Sequence, residues 1–169
     1  MKAIFDRKSI RKYTEEQVSK ENIKEILRAA MAAPSARNQQ PWEFIVVRDK
    51  ERINEIIEVS PYTTPLKTAP VAIVVCGNLH RETAEGYWVQ DCSAAIENML
   101  IQITHMGLGA VWMGIYPREE RVEKLKKTFN LPQSVIPLAV IAVGYPDEHR
   151  PNSDRFNEDR IHYETWECK

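Results

Sequence analysis

The run Val71-Ala-Ile-Val-Val-Cys76 is apolar at six consecutive positions and rich in β-branched residues. A strand with one wet face alternates polar and apolar, whereas a strand covered on both faces reads as an unbroken apolar run. This stretch therefore reads as a central strand, and Val135 to Val143 repeats the pattern. Trp42 to Val47 and Ala110 to Ile115 read as two further strands. Between the strands lie helical patterns. Ser19 stands as an N-cap before Ile23, Ile26, Leu27, Ala30 and Met31, the spacing of one buried face, and Pro34 stops that helix. Ile53, Ile56 and Ile57 mark a short helix, and Val122, Leu125 and Phe129 the inward face of another over 118–129. Strands and helices alternate without repeat or linker, so the chain reads as one α/β or α+β domain, residues 1–169, with a layered core.

The longest helical pattern runs from Tyr87 to Met106, with Gly107 and Gly109 beyond it. Its apolar positions Val89, Cys92, Ile96, Met99, Leu100 and Ile103 cover an arc wider than one small sheet needs, which predicts burial against a second chain. Residues 59–70, with three prolines, read as a surface loop. The polar segment from Tyr145 onward reads as extended, with Phe156, Tyr163 and Trp166 as anchors for docking.

Composition narrows the function. The 169 residues carry 23 Lys and Arg against 24 Asp and Glu, a net charge of −1, which argues against a nucleic-acid or anionic-membrane protein. Hydrophobic residues at 43% and charged residues at 28% exclude a disordered chain. The apolar runs are far shorter than the ~20 residues of a membrane span, and the N-terminal stretch does not read as a secretory signal. Three cysteines without a CxxC pair, and four histidines without metal-ligand spacing, point away from disulfides and metal and toward a reducing cytoplasm. A chain this small is poorly sized to enclose a large cofactor within one protomer.

Three constellations carry candidate chemistry. In an extended Arg7-Lys-Ser-Ile-Arg11, residues 7, 9 and 11 project to one side, so two guanidiniums and a hydroxyl converge in a manner suited to a phosphate dianion. A solvated basic N-terminus gives the same spacing. In Ala33-Pro-Ser-Ala-Arg-Asn-Gln-Gln-Pro-Trp42, Asn38 and Gln40 offer planar amides that match the imide edge of a heterocycle. A helix-stop loop whose amides satisfy local backbone is the other reading, and Trp42 reads as core. In Gly107-Leu-Gly-Ala-Val-Trp-Met-Gly114, the glycines precede the strand and Trp112 takes the third glycine position, so this is not a dinucleotide fingerprint. Gly114 allows close approach of a flat ligand to backbone. With no Ser-His-Asp or Cys-His set and no paired carboxylates in a turn, enzymatic chemistry would belong to a bound cofactor.

These segments, taken in order with Gln90-Asp-Cys-Ser-Ala-Ala-Ile-Glu-Asn-Met99 and Ile161-His-Tyr-Glu164, resemble the FMN-dependent nitroreductase family over nearly the whole chain. The resemblance implies an α+β fold with a mixed sheet flanked by helices, and an obligate homodimer with FMN at its interface. It further implies ping-pong reduction of nitroaromatics or quinones by NADH or NADPH through flavin N5. Residue by residue, it implies that Arg7, Ser9 and Arg11, with Lys8 beside them, hold the FMN phosphate and ribityl chain. It implies that Pro34 and Ser35 lie against the flavin from the partner, that Asn38 contacts the pyrimidine side, and that backbone at Met113 and Gly114 approaches N5. Of the C-terminal basic residues, Arg155 is favoured for the phosphate, with Arg150 and Arg160 competing. The chain is short for the family and lacks inserted helices over the substrate face, so a flavin carrier without a dedicated acceptor stands as the alternative.

Overall fold

The structure, a computed structural model, describes residues 2–152 and 154–166; Cys168 lies outside them. Four antiparallel strands form one sheet in the order β1-β2-β4-β3: β1 (Trp42–Val47), β2 (Val71–Asn78), β3 (Gly109–Gly114) and β4 (Val135–Gly144). The two continuous apolar runs are the two inner strands, and every residue from Val71 to Cys76 is buried. Among the described residues the sheet is mixed at one point: Ser9 pairs in parallel with Ala110 on the outer side of β3.

Side-chain alternation sends Val71, Ile73 and Val75 to one face with Ile141 and Val143, where α2 (Lys20–Met31) and α4 (Trp88–His105) cover them. Ala72, Val74 and Cys76 go to the other face with Val140 and Ala142, under α3 (Lys50–Ile57) and α5 (Glu119–Phe129). Helix caps lie where the sequence puts them. Ser19 Oγ accepts from the Asn22 N–H at 3.0 Å, and Asp49 Oδ1 accepts from the Arg52 N–H at 3.0 Å.

Three expectations are corrected. Residues 59–70 are not a bare surface loop: Pro61–Lys67 winds as a 3-10 turn, and Val59, Thr63 and Leu66 pack into the α3/α5 side of the core. The wide apolar arc of α4 is already covered within the chain by the sheet on one side and by α2 and α1 (Ala3–Asp6) on others, so it requires no second chain. Phe156, Tyr163 and Trp166 do not dock on their own protomer. They are 71%, 79% and 80% exposed, and Trp166 stacks on His162 at 4.1 Å.

Gly77 on β2 is required by packing. A Cβ there would sit 2.3 Å from Cε3 of Trp88, the first residue of α4. Gly77→Ala is expected to destabilise the fold by about 1–3 kcal/mol in denaturant unfolding, since the ring has little room to retreat.

Cys76 and Cys92 are free and buried, and burial pushes each thiol from an ordinary 9.0 up to about 12. Both stay protonated in the fold, whereas the unfolded chain ionises them above pH 9. Their contribution to stability is intact below about pH 9 and lost by about pH 12, and burial of the Tyr13 phenol acts in the same direction. Unfolding free energy measured against pH is expected to fall across that window, less steeply in a Cys76→Ala, Cys92→Ala variant.

Candidate functional site

The N-terminal segment runs extended along the outer edge of β3. The Ile10 N–H donates to the Ala110 carbonyl at 2.9 Å, and buried Ile10 and Tyr13 turn inward, Tyr13 donating its hydroxyl to the Ile10 carbonyl. With Ile10 directed at the core, the alternation turns Arg7, Ser9 and Arg11 the other way. All three line one cavity of about 990 Å³. Lys8 also reaches it, donating to the Arg150 carbonyl at 2.7 Å and to Asn152 Oδ1 at 2.6 Å, which straps the C-terminal segment across the opening.

Arg155 and Arg150 line the same cavity, whereas Arg160 does not. Arg150 is committed to Glu148 at 2.9 Å, and that hydrogen bond holds the Glu148 carboxyl below its ordinary range. Five cationic side chains thus face Glu97 and Asp154. Glu97, on α4, sits 3.4 Å from Nε of Arg7 and leaves the two terminal nitrogens of the guanidinium clear of that ion pair.

The second group stands apart. Pro34, Ser35, Asn38 and Gln40 are not in the cavity; they form a turn after α2 in which Arg37, Asn38 and Gln40 have φ of 50°, 56° and 46°. Left-handed backbone at non-glycine residues persists only where the surroundings enforce it. Here the enforcing group is Asp91, 4% exposed, in the first turn of α4. Its carboxylate accepts from the Ala36 N–H at 2.9 Å and from Nε2 of Gln39 at 2.6 Å. Oε1 of Gln39 in turn accepts from the Thr83 and Ala84 N–H groups at 2.8 and 2.9 Å. Ser35 Oγ accepts from the Gln40 N–H at 3.0 Å, and the Gln40 amide donates to Asn38 Oδ1 at 2.8 Å, both on the exposed surface. The turn thereby presents a fixed pair of amides to solvent.

Asp91 and Glu97, six residues apart, are separated by about 9 Å along α4 and about a third of a turn around it. The basic cavity and the amide turn therefore lie on different sides of the same helix.

Met113 and Gly114 make a third group at the end of β3. Because Ala110 turns its backbone groups outward to Ile10, the period of two turns those of Trp112 and Gly114 outward as well, and Met113 inward to β4. The Gly114 carbonyl confirms the direction by accepting from Arg121 Nη1 at 3.0 Å. The Met113 side chain is buried under α5, so it is the Gly114 N–H that faces open space, and a Cβ at Gly114 would meet nothing within 4 Å. No group of three or more His, Cys, Asp or Glu able to hold a metal occurs among the described residues.

Sequence reasoning missed Asp91, Gln39 and Glu97. Asp91 had a signal: a lone carboxylate between Trp88, Cys92 and Ala95 on the buried arc of α4. A buried charge must be hydrogen-bonded. Asp91→Ala is expected to cost about 1–3 kcal/mol by stranding the Ala36 and Gln39 donors, and to raise amide exchange at Ala36, Thr83 and Ala84 well above that elsewhere in α4.

Comparison with known proteins bears on the family of the chain. The Nitroreductase family model matches residues 4–61 and 61–145. A Methanothermobacter thermautotrophicus protein provisionally named NADH dehydrogenase/NAD(P)H nitroreductase is 50% identical over 98% of this chain and 87% of its own. A Clostridium acetobutylicum structure provisionally named an NADH oxidase superposes with a TM-score of 0.95 at 48% identity, over 97% of this chain and 99% of that one. A Desulfovibrio desulfuricans structure, provisionally named a nitroreductase and solved with FMN, superposes with a TM-score of 0.85 at 32% identity, over 98% and 96% of the two chains. The chain belongs to the nitroreductase family.

Proposed function

We propose that this protein is an FMN-dependent oxidoreductase that takes electrons from NADH or NADPH and reduces nitroaromatic, quinone or related acceptors. The observation that carries the proposal is the basic cavity. Arg7, Arg11 and Arg155 with the Ser9 hydroxyl surround a space of the size ligand pockets occupy, with a cationic excess that a phosphate monoester neutralises. The residues present fit FMN.

Arg7, Ser9 and Arg11, with Arg155 across the opening, hold the phosphate and ribityl chain, and Lys8 keeps the C-terminal strap over them. Glu97 orients Arg7 through Nε. The outward Gly114 N–H donates to the reacting edge of the ring, in place of the inward N–H of Met113. When bound, FMN would supply the hydride chemistry that links the nicotinamide to the acceptor, in a ping-pong order. The protein's groups orient and polarise without acting as acid or base.

The amide turn lies on another side of α4, so it serves a flavin held by the second copy of a homodimer. Pro34 and Ser35 then lie against the ring, and Asn38 and Gln40 face its pyrimidine edge. Ile4, Phe5, Phe156 and Trp166, all exposed in the single chain, supply apolar surface for that association. The buried free thiols Cys76 and Cys92 suit a reducing cytoplasm.

The purified protein is expected to be yellow, to sediment as a dimer with two FMN, and to bleach rapidly with NADH or NADPH in stopped flow. Arg11→Ala is expected to weaken FMN binding by about 10–100-fold while leaving riboflavin binding nearly unchanged, because it removes a charge-assisted contact to phosphate alone. A protein that takes up no FMN overturns the proposal. One that binds FMN but is bleached by neither nicotinamide is a flavin carrier.

A further inference from the structure

Arg121, the third residue of α5, has a guanidinium outside the groups that line the basic cavity. Its Nη1 donates to the Gly114 carbonyl at 3.0 Å, and its central carbon lies 5.2 Å from the ring centroid of Tyr62. Among the described residues it makes no ion pair with a carboxylate, and the neighbouring Glu120 is committed to Lys124 at 2.8 Å. The guanidinium is therefore fixed on two sides, by a carbonyl and by an aromatic face, and its charge is felt by the adjacent Glu120 carboxylate without a salt bridge to it. One Nη1 hydrogen bond leaves the Nε and Nη2 edge free, the pair of parallel N–H donors that grips an oxyanion bidentately.

The place of this fork is as telling as its geometry. It stands at Gly114, whose N–H faces the open edge of β3, and Tyr62, 68% exposed, carries it from the 3-10 turn of Pro61–Lys67. The reducible nitro and quinone groups themselves carry no net negative charge. NADH and NADPH carry a diphosphate, and the chain lacks the glycine-rich strand-helix loop that commonly holds one. An oriented guanidinium fork can supply that recognition in its place.

We propose that Arg121, held by the Gly114 carbonyl and stacked on Tyr62, binds the diphosphate of the nicotinamide donor and so determines selectivity for the full dinucleotide. This rests on the flavin reading of the same site. Residues 59–70 contribute to the site through Tyr62, which fixes the fork's direction.

The test compares wild type, Arg121→Ala, Arg121→Lys and Tyr62→Leu, each loaded with FMN and checked for flavin content by absorbance. The affinity of the unreactive analogue 1,4,5,6-tetrahydro-NADH is measured by calorimetry. The ratio of kcat/KM for NADH to that for the phosphate-free donor N-benzyl-1,4-dihydronicotinamide is measured alongside. Arg121→Ala is expected to weaken the analogue and lower the ratio about tenfold, chiefly through KM. Arg121→Lys keeps the charge but loses the fork and falls between, and Tyr62→Leu shifts the ratio by about threefold. Unchanged affinity and ratio in a flavin-loaded Arg121→Ala overturn the proposal and leave the flavin reading standing. A change confined to selectivity for 4-nitrobenzoate over nitrobenzene assigns the fork to the acceptor and also overturns it. A wild-type protein that takes up no FMN overturns both.

Discussion

The buried carboxylate of Asp91 is the constraint on which the arrangement of this protein turns. It joins the start of α4 to the turn after α2 and, through Gln39, to the backbone at Thr83 and Ala84. Two charge-assisted bonds into a region of low dielectric are stronger than the same bonds at the surface. They offset the cost of three left-handed residues, each of order 1–3 kcal/mol when non-glycine. Without that carboxylate the turn 35–40 would relax toward ordinary loop geometry. Its amides would then lose the fixed direction that the turn gives them.

The same helix sets the other half of the site by an ordinary consequence of helical geometry. Its apolar side, Cys92, Ala95, Ile96, Met99 and Ile103, is spent on the sheet and α2. Asp91 and Glu97 emerge on either side of that seam, one buried and one exposed. Each captures a different segment of chain, Asp91 the turn at 36–39 and Glu97 the N-terminal segment at Arg7, so α4 holds the amide turn and the basic cavity on different sides of itself. The exposed Phe5, Phe156 and Trp166 then acquire a rationale. Exposed apolar side chains beside a cavity are surface of the kind that association buries, and Phe5 and Phe156 line the cavity itself.

Much of the fold was legible because it rests on periodicity. The inner strand at Val135–Gly144 follows from its unbroken apolar run, and the N-cap at Ser19 from local hydrogen bonding. Departures arose where tertiary context decides. Three prolines in 59–70 suggested exposure, yet Leu66 is 2% exposed because a 3-10 turn can bury one side chain without a full helical face. The four-residue α1 was missed because its pattern is shorter than one helical repeat. The arc of α4 suggested a partner chain because sequence cannot reveal that α1 and α2 return to cover it. The convergence of Arg7, Ser9 and Arg11 on one cavity was legible through alternation. Asp91 and Arg121 were not, since each works through a segment distant in sequence: Asp91 through 36–39, Arg121 through Tyr62.

The edge of β3 shows why these local choices cohere. An exposed edge strand with unpaired N–H groups invites pairing with another chain, and proteins usually blunt it. Here the N-terminal segment pairs at Ser9 and Ala110, which closes the first part of the edge and also delivers Arg7 and Arg11 to the cavity. The pairing does not extend to Trp112 and Gly114. Continuing it would consume the outward Gly114 N–H and displace Arg121 from the Gly114 carbonyl. The N-terminal segment instead turns away along the other direction of the strand, with Tyr13 reaching Pro146. The portion of edge left free is therefore capped by a cation at its carbonyl and open at its N–H. That polarity discourages another strand, which needs donor and acceptor together, and suits a ligand that needs only a donor beside a positive charge.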